Sequence, residues 1–358
     1  MRILLDNGLQ NGVGTGIDSY TSALKQALSA RADVSVGTED FTPRGGRLLR
    51  RLTYLRYLSS RKYQQKLRGF DVVHYTNYAM PKKHPKGTLC AVTVHDLTAF
   101  LYPKTLPLAY RFYNHTMVKR AMRRADVIFA VSESAAKEMR AMFPHAAEKI
   151  TAVYPGHYQG ASEGEVAPQY ENPALTGLPE KRFFLFVGTL EKRKGLTTFL
   201  HAYQRLVREC PTNFSLVLAG RMGYGKKALQ KALANLPPEA DVRTPGFVSA
   251  ADRRRLYQDT AAFVFPTVYE GFGSPQTECM ANGTPLLLSD IPTNREVSGE
   301  YGHYFPAEDE EALLLLLQKV VAGTLPPPDK AVAAKRLSHF TWEQAAEQMV
   351  NIYQSKLN

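Results

Sequence analysis

The stretch Val264-Phe265-Pro266-Thr267-Val268-Tyr269-Glu270-Gly271-Phe272-Gly273-Ser274-Pro275-Gln276-Thr277-Glu278-Cys279-Met280-Ala281-Asn282-Gly283-Thr284-Pro285 holds the strongest architectural signal in the chain. The apolar run at 262–265 reads as a strand that stops at Pro266, so Glu270 falls in a loop leaving a sheet. Gly271 and Gly273 free the backbone to present N–H groups. Ser274 followed by Pro275 reads as an N-cap and a first-turn proline, which starts a helix there. Glu278 lies about one turn into that helix, and Asn282-Gly283 ends it before the next apolar run at 285–289. Strand, loop, short helix and strand in this order form one unit of a parallel α/β sheet. A purely structural connection has little use for two carboxylates and two glycines around so short a helix.

The same alternation extends in both directions. Upstream, strands are expected at 2–6, 33–36, 72–75, 89–95, 127–131 and 150–154, with helices near 17–28, 47–67, 106–124 and 134–142. Residues 155–181 are rich in Gly, Pro, Glu and Gln, lack periodicity and carry no Lys or Arg before Lys181, which marks a linker. A second series follows, with strands at 183–187, 215–219, 242–244, 262–265 and 285–289 and helices near 196–210, 226–236, 250–259, 275–281 and 308–322. The sequence 249–252 reads as a capping box, and Thr341 with Gln344 opens a last helix beyond Pro326-Pro327-Pro328. The expectation is two doubly wound domains: 1–157, a linker at 158–181, 182–336, and a C-terminal helix at 337–358.

Composition narrows the function classes. The 358 residues are 44% apolar and 22% charged, which supports a packed core in either half. Cys90, Cys210 and Cys279 are far apart, so a disulfide scaffold or zinc ribbon is excluded and a reducing cytoplasm expected. The opening Met1-Arg2-Ile3-Leu4-Leu5 meets Asp6 at once, short of a signal peptide's apolar stretch. No H-E-x-x-H, H-x-H or D-x-D occurs, and no metal site or cofactor is expected. The net charge of +12 sits in the first half: residues 1–150 hold 24 Lys/Arg against 11 Asp/Glu, residues 151–358 hold 21 against 22. A basic half should meet something anionic.

Two further motifs follow strand ends. Gly12-Val13-Gly14-Thr15-Gly16 opens the first helix, where unpaired N–H groups and the helix dipole suit a phosphate. Its spacing is not that of a dinucleotide fingerprint, and a tight turn explains it equally well. Glu191-Lys192-Arg193-Lys194-Gly195 places three adjacent cations after another strand, which demands either solvation or anionic partners. His95 ends the strand 89–95, where ligands approach parallel sheets, which favours a functional role over that of a hydrogen-bonded core histidine. Glycoside hydrolysis would also use two carboxylates, on opposite sides of a scissile bond. A loop glutamate and a helix glutamate beside a cationic turn fit one ligand bearing hydroxyls and phosphates better.

Residues 41–68 contain nine Lys/Arg and no acid, interleaved with Leu48, Leu49, Leu52, Tyr54, Leu55, Tyr57 and Leu58. The patch Arg47, Arg50, Arg51 and Arg56 reads as a membrane-surface helix or the solvated wall of an acceptor channel. No nucleic-acid-binding module accompanies it.

Glu270 to Glu278 resembles the E-x7-E signature of family-4 retaining glycosyltransferases, whose members have the GT-B architecture of two Rossmann-like domains facing a central cleft. Supporting segments, in order, are Gly14-Thr15-Gly16, Val94-His95-Asp96-Leu97, 125–132, 187–195, and Ser289-Asp290-Ile291-Pro292 running on to Arg295-Glu296-Val297. The resemblance implies that Glu270 contacts donor-sugar hydroxyls, with N–H groups of Gly271, Phe272, Gly273 and Ser274 nearby. It also implies that Glu278 holds the ribose and that Arg193 and Lys194 neutralise the diphosphate. By the same resemblance Gly16 is expected to let the first domain close over that diphosphate, and His95 to line the sugar site. Many relatives carry arginine where this chain has Thr189; Arg193 is the candidate replacement. The C-terminal helix is expected to cross back to the first domain.

The implied activity is transfer of a hexose or deoxyhexose, with retention, from a nucleotide-diphosphate sugar to a glycan or lipid-linked acceptor. The segments 187–195 and 289–297 are similar to those of bacterial mannosyl- and deoxysugar transferases of surface polysaccharide or lipopolysaccharide assembly. No metal is expected, and the location is expected to be cytoplasmic or peripheral on the inner membrane face. Alternatives are a nucleotide-sugar epimerase of the same architecture or a non-catalytic nucleotide-binding protein.

Overall fold

A computed structural model describes residues 1–8, 16–39, 41, 47–157, 169–178, 180, 182–210 and 212–358, with only the backbone described at Arg47 and Leu48. It divides into two units. The first comprises Met1–Leu101, Leu108–Gly156 and His339–Asn358, the second Tyr102–Pro107 and His157–Ser338.

In the first unit, strands β1 (Arg2–Asp6), β2 (Ser35–Thr38), β3 (Val72–Tyr75), β4 (Leu89–Val94), β5 (Val127–Ala130) and β6 (Ile150–Ala152) form one parallel sheet ordered β2-β1-β3-β4-β5-β6. Helices α1 (Gly16–Ser29), α2 (Arg47–Leu58), α3 (Arg61–Leu67), α4 (Thr98–Leu101), α5 (Leu108–Arg124) and α6 (Glu133–Met142) connect the strands. Fully buried runs such as Val72–Tyr75 and Leu89–Val94 explain the continuous apolar character of these strands, because both faces are covered.

The second unit repeats the plan. Strands β7 (Phe183–Val187), β8 (Ser215–Ala219), β9 (Val242–Gly246), β10 (Ala262–Phe265), β11 (Leu286–Ser289) and β12 (Gly302–Phe305) are ordered β12-β11-β10-β7-β8-β9, again parallel. Its helices are α7 (Leu196–Glu209), α8 (Lys226–Ala234), α9 (Ala250–Asp259), α10 (Ser274–Ala281), α11 (Pro292–Ser298), α12 (Glu310–Val321) and α13 (Lys330–Leu337). The chain builds β7 to β9 outward and then returns to lay β10 beside β7. The sheet's switch point, where ligands bind in open α/β folds, therefore lies between β7 and β10. Both units are Rossmann-like, as the sequence leads one to expect.

The last helix, α14 (Trp342–Leu357), belongs to the first unit and packs on α1 and β4. Thr341 caps it by accepting from the Gln344 N–H. Trp342 meets Tyr20 edge-on at 5.3 Å, and a Cβ on Gly156 would strike Trp342, so chain and helix cross in close contact there.

Several local expectations are corrected. The helix expected over 47–67 is two helices, because Ser60 turns out of the helix and caps α3 by accepting from the Tyr63 N–H. Helix α10 begins at Ser274, not after it: Gly273 is the cap, at φ +83°, and Pro275 is the second residue. Ser249 caps α9 by accepting from the Asp252 N–H. The Asp252 carboxylate instead accepts from the N–H groups of Glu171 and Asn172, and so fastens residues of the expected linker onto the second unit. Strand β12 and helices α11 and α13 were not foreseen.

Candidate functional site

The turn after β7 and the loop after β10 leave neighbouring strands at the switch point. Their approach is close. The Arg193 carbonyl accepts from the Val268 N–H at 2.9 Å, and a Cβ on Gly195 would lie 1.9 Å from the Pro266 oxygen. With φ at +64° as well, only glycine fits that position. Arg193 and Lys194 lie in a short 3-10 turn that aims them at the next strand's loop.

Glu270 receives both cations. Its Oε1 lies 3.0 Å from Nη1 of Arg193, 2.5 Å from Nζ of Lys194 and 2.8 Å from the Thr267 hydroxyl, which donates to it. Arg193 Nη1 also donates to the Tyr269 carbonyl, and its Nε meets Glu191 at 2.7 Å. The Lys194 ammonium stands 5.1 Å from the centre of the Phe265 ring. Burial works against ionisation of Glu270, but Arg193, Lys194 and the two hydrogen bonds outweigh it and pull its carboxyl down to about 2. Burial and the neighbouring Arg193 lower the Lys194 pKa, with Glu270 and Glu191 opposing them. Glu191, Arg193, Lys194 and Glu270 thus form a compact group of two anions and two cations. The reading of a wholly solvated turn holds only for Lys192, which is exposed.

Among the described residues, the hydrogen bonds and ion pairs of the Glu270 carboxylate fall on Oε1.

The loop itself is held from behind. Thr293 donates to the Glu270 carbonyl at 2.8 Å, Gln276 to Asn294 Oδ1 at 2.8 Å, and Ser298 to Gln276 Oε1 at 2.7 Å. Asn294 in turn donates to the Ser289 carbonyl. Gly271, Phe272 and Gly273 are buried, so the Phe272 ring serves packing while its backbone borders the start of α10; Ser274 is half-buried. Glu278, on α10, is buried and pairs through Oε2 with Arg253 Nε at 3.2 Å. Burial raises its carboxyl, and Arg253 and Tyr257 act in the opposite direction.

Sequence reasoning found Glu270, Arg193 and Lys194, and the structure brings these three together. It missed Glu191 as the second anion, Thr267 and Thr293 as supports, and Arg253 as the partner of Glu278. Thr267 and Thr293 lie in or beside the motifs, whereas nothing in the sequence around Arg253 marks it.

In the first unit His95 follows β4 and is half-buried. Its Nε2 lies 2.8 Å from the Thr76 carbonyl, which can only accept, so Nε2 carries the proton and Nδ1 is the acceptor. Burial lowers its pKa, so the neutral ring is favoured. Gly16 begins α1 in open space, while Gly12, Gly14 and Thr15 lie outside the described residues.

The basic patch differs from its sequence reading. Tyr54 and Leu58 are core residues, and Leu55 and Tyr57 pack against the core. Arg51 lies over the rings of Tyr110 and Tyr113, at 4.3 and 4.7 Å, so it clamps α2 to α5 and does not face outward as a free cation. Arg50 is half-buried, Arg56 is exposed, and the side chain of Arg47 lies outside the described residues. Among the described residues no three His, Cys, Asp or Glu side chains group as a metal site would require, and no helix is long and apolar enough to cross a membrane.

Known proteins share this fold. The family model described as "Glycosyltransferase Family 4" matches residues 14–157, and the one described as "Glycosyl transferases group 1" matches residues 171–336. The O-antigen chain mannosyltransferase B of Escherichia coli is 27% identical over 307 residues, covering 83% of this chain and 78% of that protein. The O-antigen chain mannosyltransferase RfbU of Salmonella typhimurium is 28% identical over 224 residues, 62% of this chain and 58% of that protein. A sucrose-phosphate synthase from Thermosynechococcus elongatus superposes with a TM-score of 0.73 at 19% identity, covering 99% of this chain and 98% of that one. With matches to glycosyltransferase models in both halves, in sequence order, and two Rossmann-like units beneath them, the chain belongs to the family-4 glycosyltransferases of the GT-B architecture.

Proposed function

We propose that the protein transfers a hexose, mannose in the first instance, from a nucleotide-diphosphate sugar to a glycan or lipid-linked acceptor, with retention of anomeric configuration. The observation that carries this reading is the Glu270–Arg193–Lys194 group at the switch point of the second unit. Departure of a nucleoside diphosphate builds negative charge on its β-phosphate, and pre-placed cations stabilise that charge without reorganisation. In the resting protein Glu270 and Glu191 neutralise those cations, which keeps a buried lysine charged until the ligand arrives. Glu270 Oε2 accepts from a sugar hydroxyl, and Glu278 accepts from the ribose. His95, with Nδ1 as acceptor, and Gly16 keep the roles that the family resemblance implies.

The names of the relatives support mannose as the sugar and O-antigen chain growth as the setting. No metal enters the proposed step, because Lys194 and Arg193 supply the charge that a divalent ion would otherwise bring. The acceptor side is assigned to the basic first unit, which works peripherally on the cytoplasmic face of the membrane.

The test is product analysis. The protein is incubated with a panel of nucleotide-diphosphate sugars, with and without lipid-linked glycan acceptors, and donor and product are separated. Acceptor-dependent release of nucleoside diphosphate, with an α-linked product from an α-linked donor, supports the reading. Conversion of the donor sugar with no acceptor present would make the protein an epimerase, and nucleotide binding without any conversion would make it a binding protein.

A further inference from the structure

Two helices of the first unit turn large apolar side chains outward beside positive charge. On α2, Leu49 and Leu52 are 58% and 56% exposed; on α5, Leu108 and Phe112 are 80% and 76% exposed. Each pair is spaced to share one helix face: 49 and 52 are three apart, 108 and 112 four apart. The Arg51 guanidinium, seated on the rings of Tyr110 and Tyr113, holds the two helices together.

The charges are placed to match. Arg56 continues the outward face of α2, one turn beyond Leu52, and is exposed. On α5 the face that begins with Leu108 and Phe112 continues through Thr116 to Lys119 and Arg123, all exposed. Helices α2, α3 and α5 carry four, three and five Lys/Arg and no Asp or Glu. Some of these cations are used internally: Lys66 pairs with Glu39, Arg120 donates to the Met80 carbonyl and Arg124 to the Lys82 carbonyl. Arg56, Lys119 and Arg123 remain on the outer surface.

We propose that α2 and the first half of α5 form one membrane-docking platform, with Leu108 and Phe112 inserted among acyl chains and Arg56, Lys119 and Arg123 at the anionic headgroups. A helix face whose apolar end gives way to cations suits an interface where water, headgroup and hydrocarbon succeed one another within a few ångströms. Nucleic acid would engage the cations but give no reason to expose Leu108 and Phe112. A protein partner would favour the apolar residues and has less use for a surface of one charge sign. The inference rests on the transferase reading for its purpose, delivery of the enzyme to a lipid-linked acceptor, but the binding itself needs no turnover.

The experiment is co-sedimentation of the full chain with phosphatidylcholine vesicles, with and without phosphatidylglycerol, at low and high salt. Three proteins are compared: wild type, Leu108→Ser with Phe112→Ser, and Arg56→Gln with Lys119→Gln and Arg123→Gln. Wild type is expected to pellet with anionic vesicles at low salt and to be released by high salt. The apolar variant should lose roughly tenfold or more in vesicle affinity, and the charge variant should lose its preference for anionic lipid. A Phe112→Trp variant should shift its emission to the blue on vesicle addition and be quenched by brominated acyl chains.

Equal pelleting of wild type and the apolar variant would overturn the proposal, as would Phe112→Trp emission that ignores vesicles. Failure of wild type to bind vesicles while it shifts a nucleic acid, or dimerises through these residues, would also overturn it. Each variant is checked for wild-type melting, and nucleotide-sugar turnover is assayed separately. If turnover is absent while vesicle binding behaves as expected, the transferase reading fails and the platform stands.

Discussion

Nζ of Lys194 lies 2.5 Å from Oε1 of Glu270, and the same oxygen takes Nη1 of Arg193. One carboxylate oxygen thus holds two cations delivered by the loop of the adjacent strand, while Glu191 completes the charge balance from the other side of Arg193. A phosphate arriving at this group shifts an existing balance; it does not meet bare charge. Oε1 keeps the cations in place, and under the proposed transfer Oε2 is the oxygen that addresses the sugar.

Replacing Glu270 with Gln should therefore lower turnover far more than it weakens nucleoside-diphosphate binding. The amide leaves Arg193 and Lys194 under-neutralised, which favours a bound diphosphate, but loses the carboxylate that positions the sugar. Breaking a buried pair also costs about 3–5 kcal/mol of stability. Steady-state rates, calorimetric nucleotide affinity and melting of the same variant check the three parts. Equal losses in rate and nucleotide affinity would show that the role of Glu270 is wrongly assigned.

Glu278→Ala should behave in the opposite way, mainly raising the donor dissociation constant. Arg253→Ala should follow it in part, because the buried Glu278 carboxyl then loses the Arg253 guanidinium, its ion-pair partner, and becomes harder to ionise. The comparison is donor affinity in both variants against wild type. An unchanged donor affinity in Glu278→Ala would remove it from the ribose site.

Activity should survive EDTA. In the proposed transfer Lys194 and Arg193 meet the charge on the departing diphosphate, and the step has no place for a bridging ion. Turnover measured before and after chelation, with magnesium or manganese restored, decides the point; loss on chelation and recovery on metal addition would overturn it.

Much of this was legible in the sequence because buried parallel strands leave apolar runs that need no partner to be recognised. Strands β7, β8 and β10 fall at their expected bounds for that reason. Strand β12, Gly302–Phe305, was missed: it is an edge strand of only four residues, opened by a glycine and half-buried over its first three. The break between α2 and α3 was hidden because basic and apolar residues alternate on both sides of it, although Ser60 was there to mark it. At the site, residue type and strand-end position exposed Glu270, Arg193 and Lys194. Which carboxylate neutralises which cation depends on how two loops from non-consecutive strands meet, and sequence spacing carries no such information. The same limit applies to Arg51, whose charge was visible and whose seat on two tyrosine rings was not.

The first unit depends on its last helix through a buried polar contact. The Tyr353 hydroxyl lies 2.8 Å from Nδ1 of His74, whose Nε2 lies 2.8 Å from the Thr93 hydroxyl. Burial first, and then the proximity of His95, lower the His74 pKa to about 3, so the ring is neutral near physiological pH. Tyr353→Phe leaves one ring nitrogen without its partner in a dry site, at a cost of about 1–3 kcal/mol. The melting temperature should fall by several degrees with the fold otherwise retained, as read by calorimetry. A variant that melts with wild type would show that the contact contributes nothing.

Asp6 sets a pH dependence that runs opposite to the usual carboxylate behaviour. It ends β1, is fully buried, and accepts from the hydroxyls of Tyr54 on α2 and Tyr63 on α3, with Tyr75 on β3 bonded to Tyr63. Glu39, which is paired with Lys66, adds a nearby negative charge. Burial outweighs the two tyrosine hydrogen bonds and raises its carboxyl from 3.8 to about 6. Between those values the folded protein holds a proton that the unfolded chain releases. The contribution of Asp6 to stability is therefore full below about pH 4 and is lost as pH rises through about 6, a swing on the order of 3 kcal/mol. Asp6→Asn cannot titrate, and the other carboxylates are common to both proteins, so they cancel in the difference. Urea unfolding of wild type and variant at steps between about pH 4 and about pH 7 should show wild type losing ground to the variant by roughly that amount. A difference that stays flat across the range, or grows in favour of wild type as pH rises, would show that Asp6 is ionised in the folded protein and that the two tyrosines outweigh its burial.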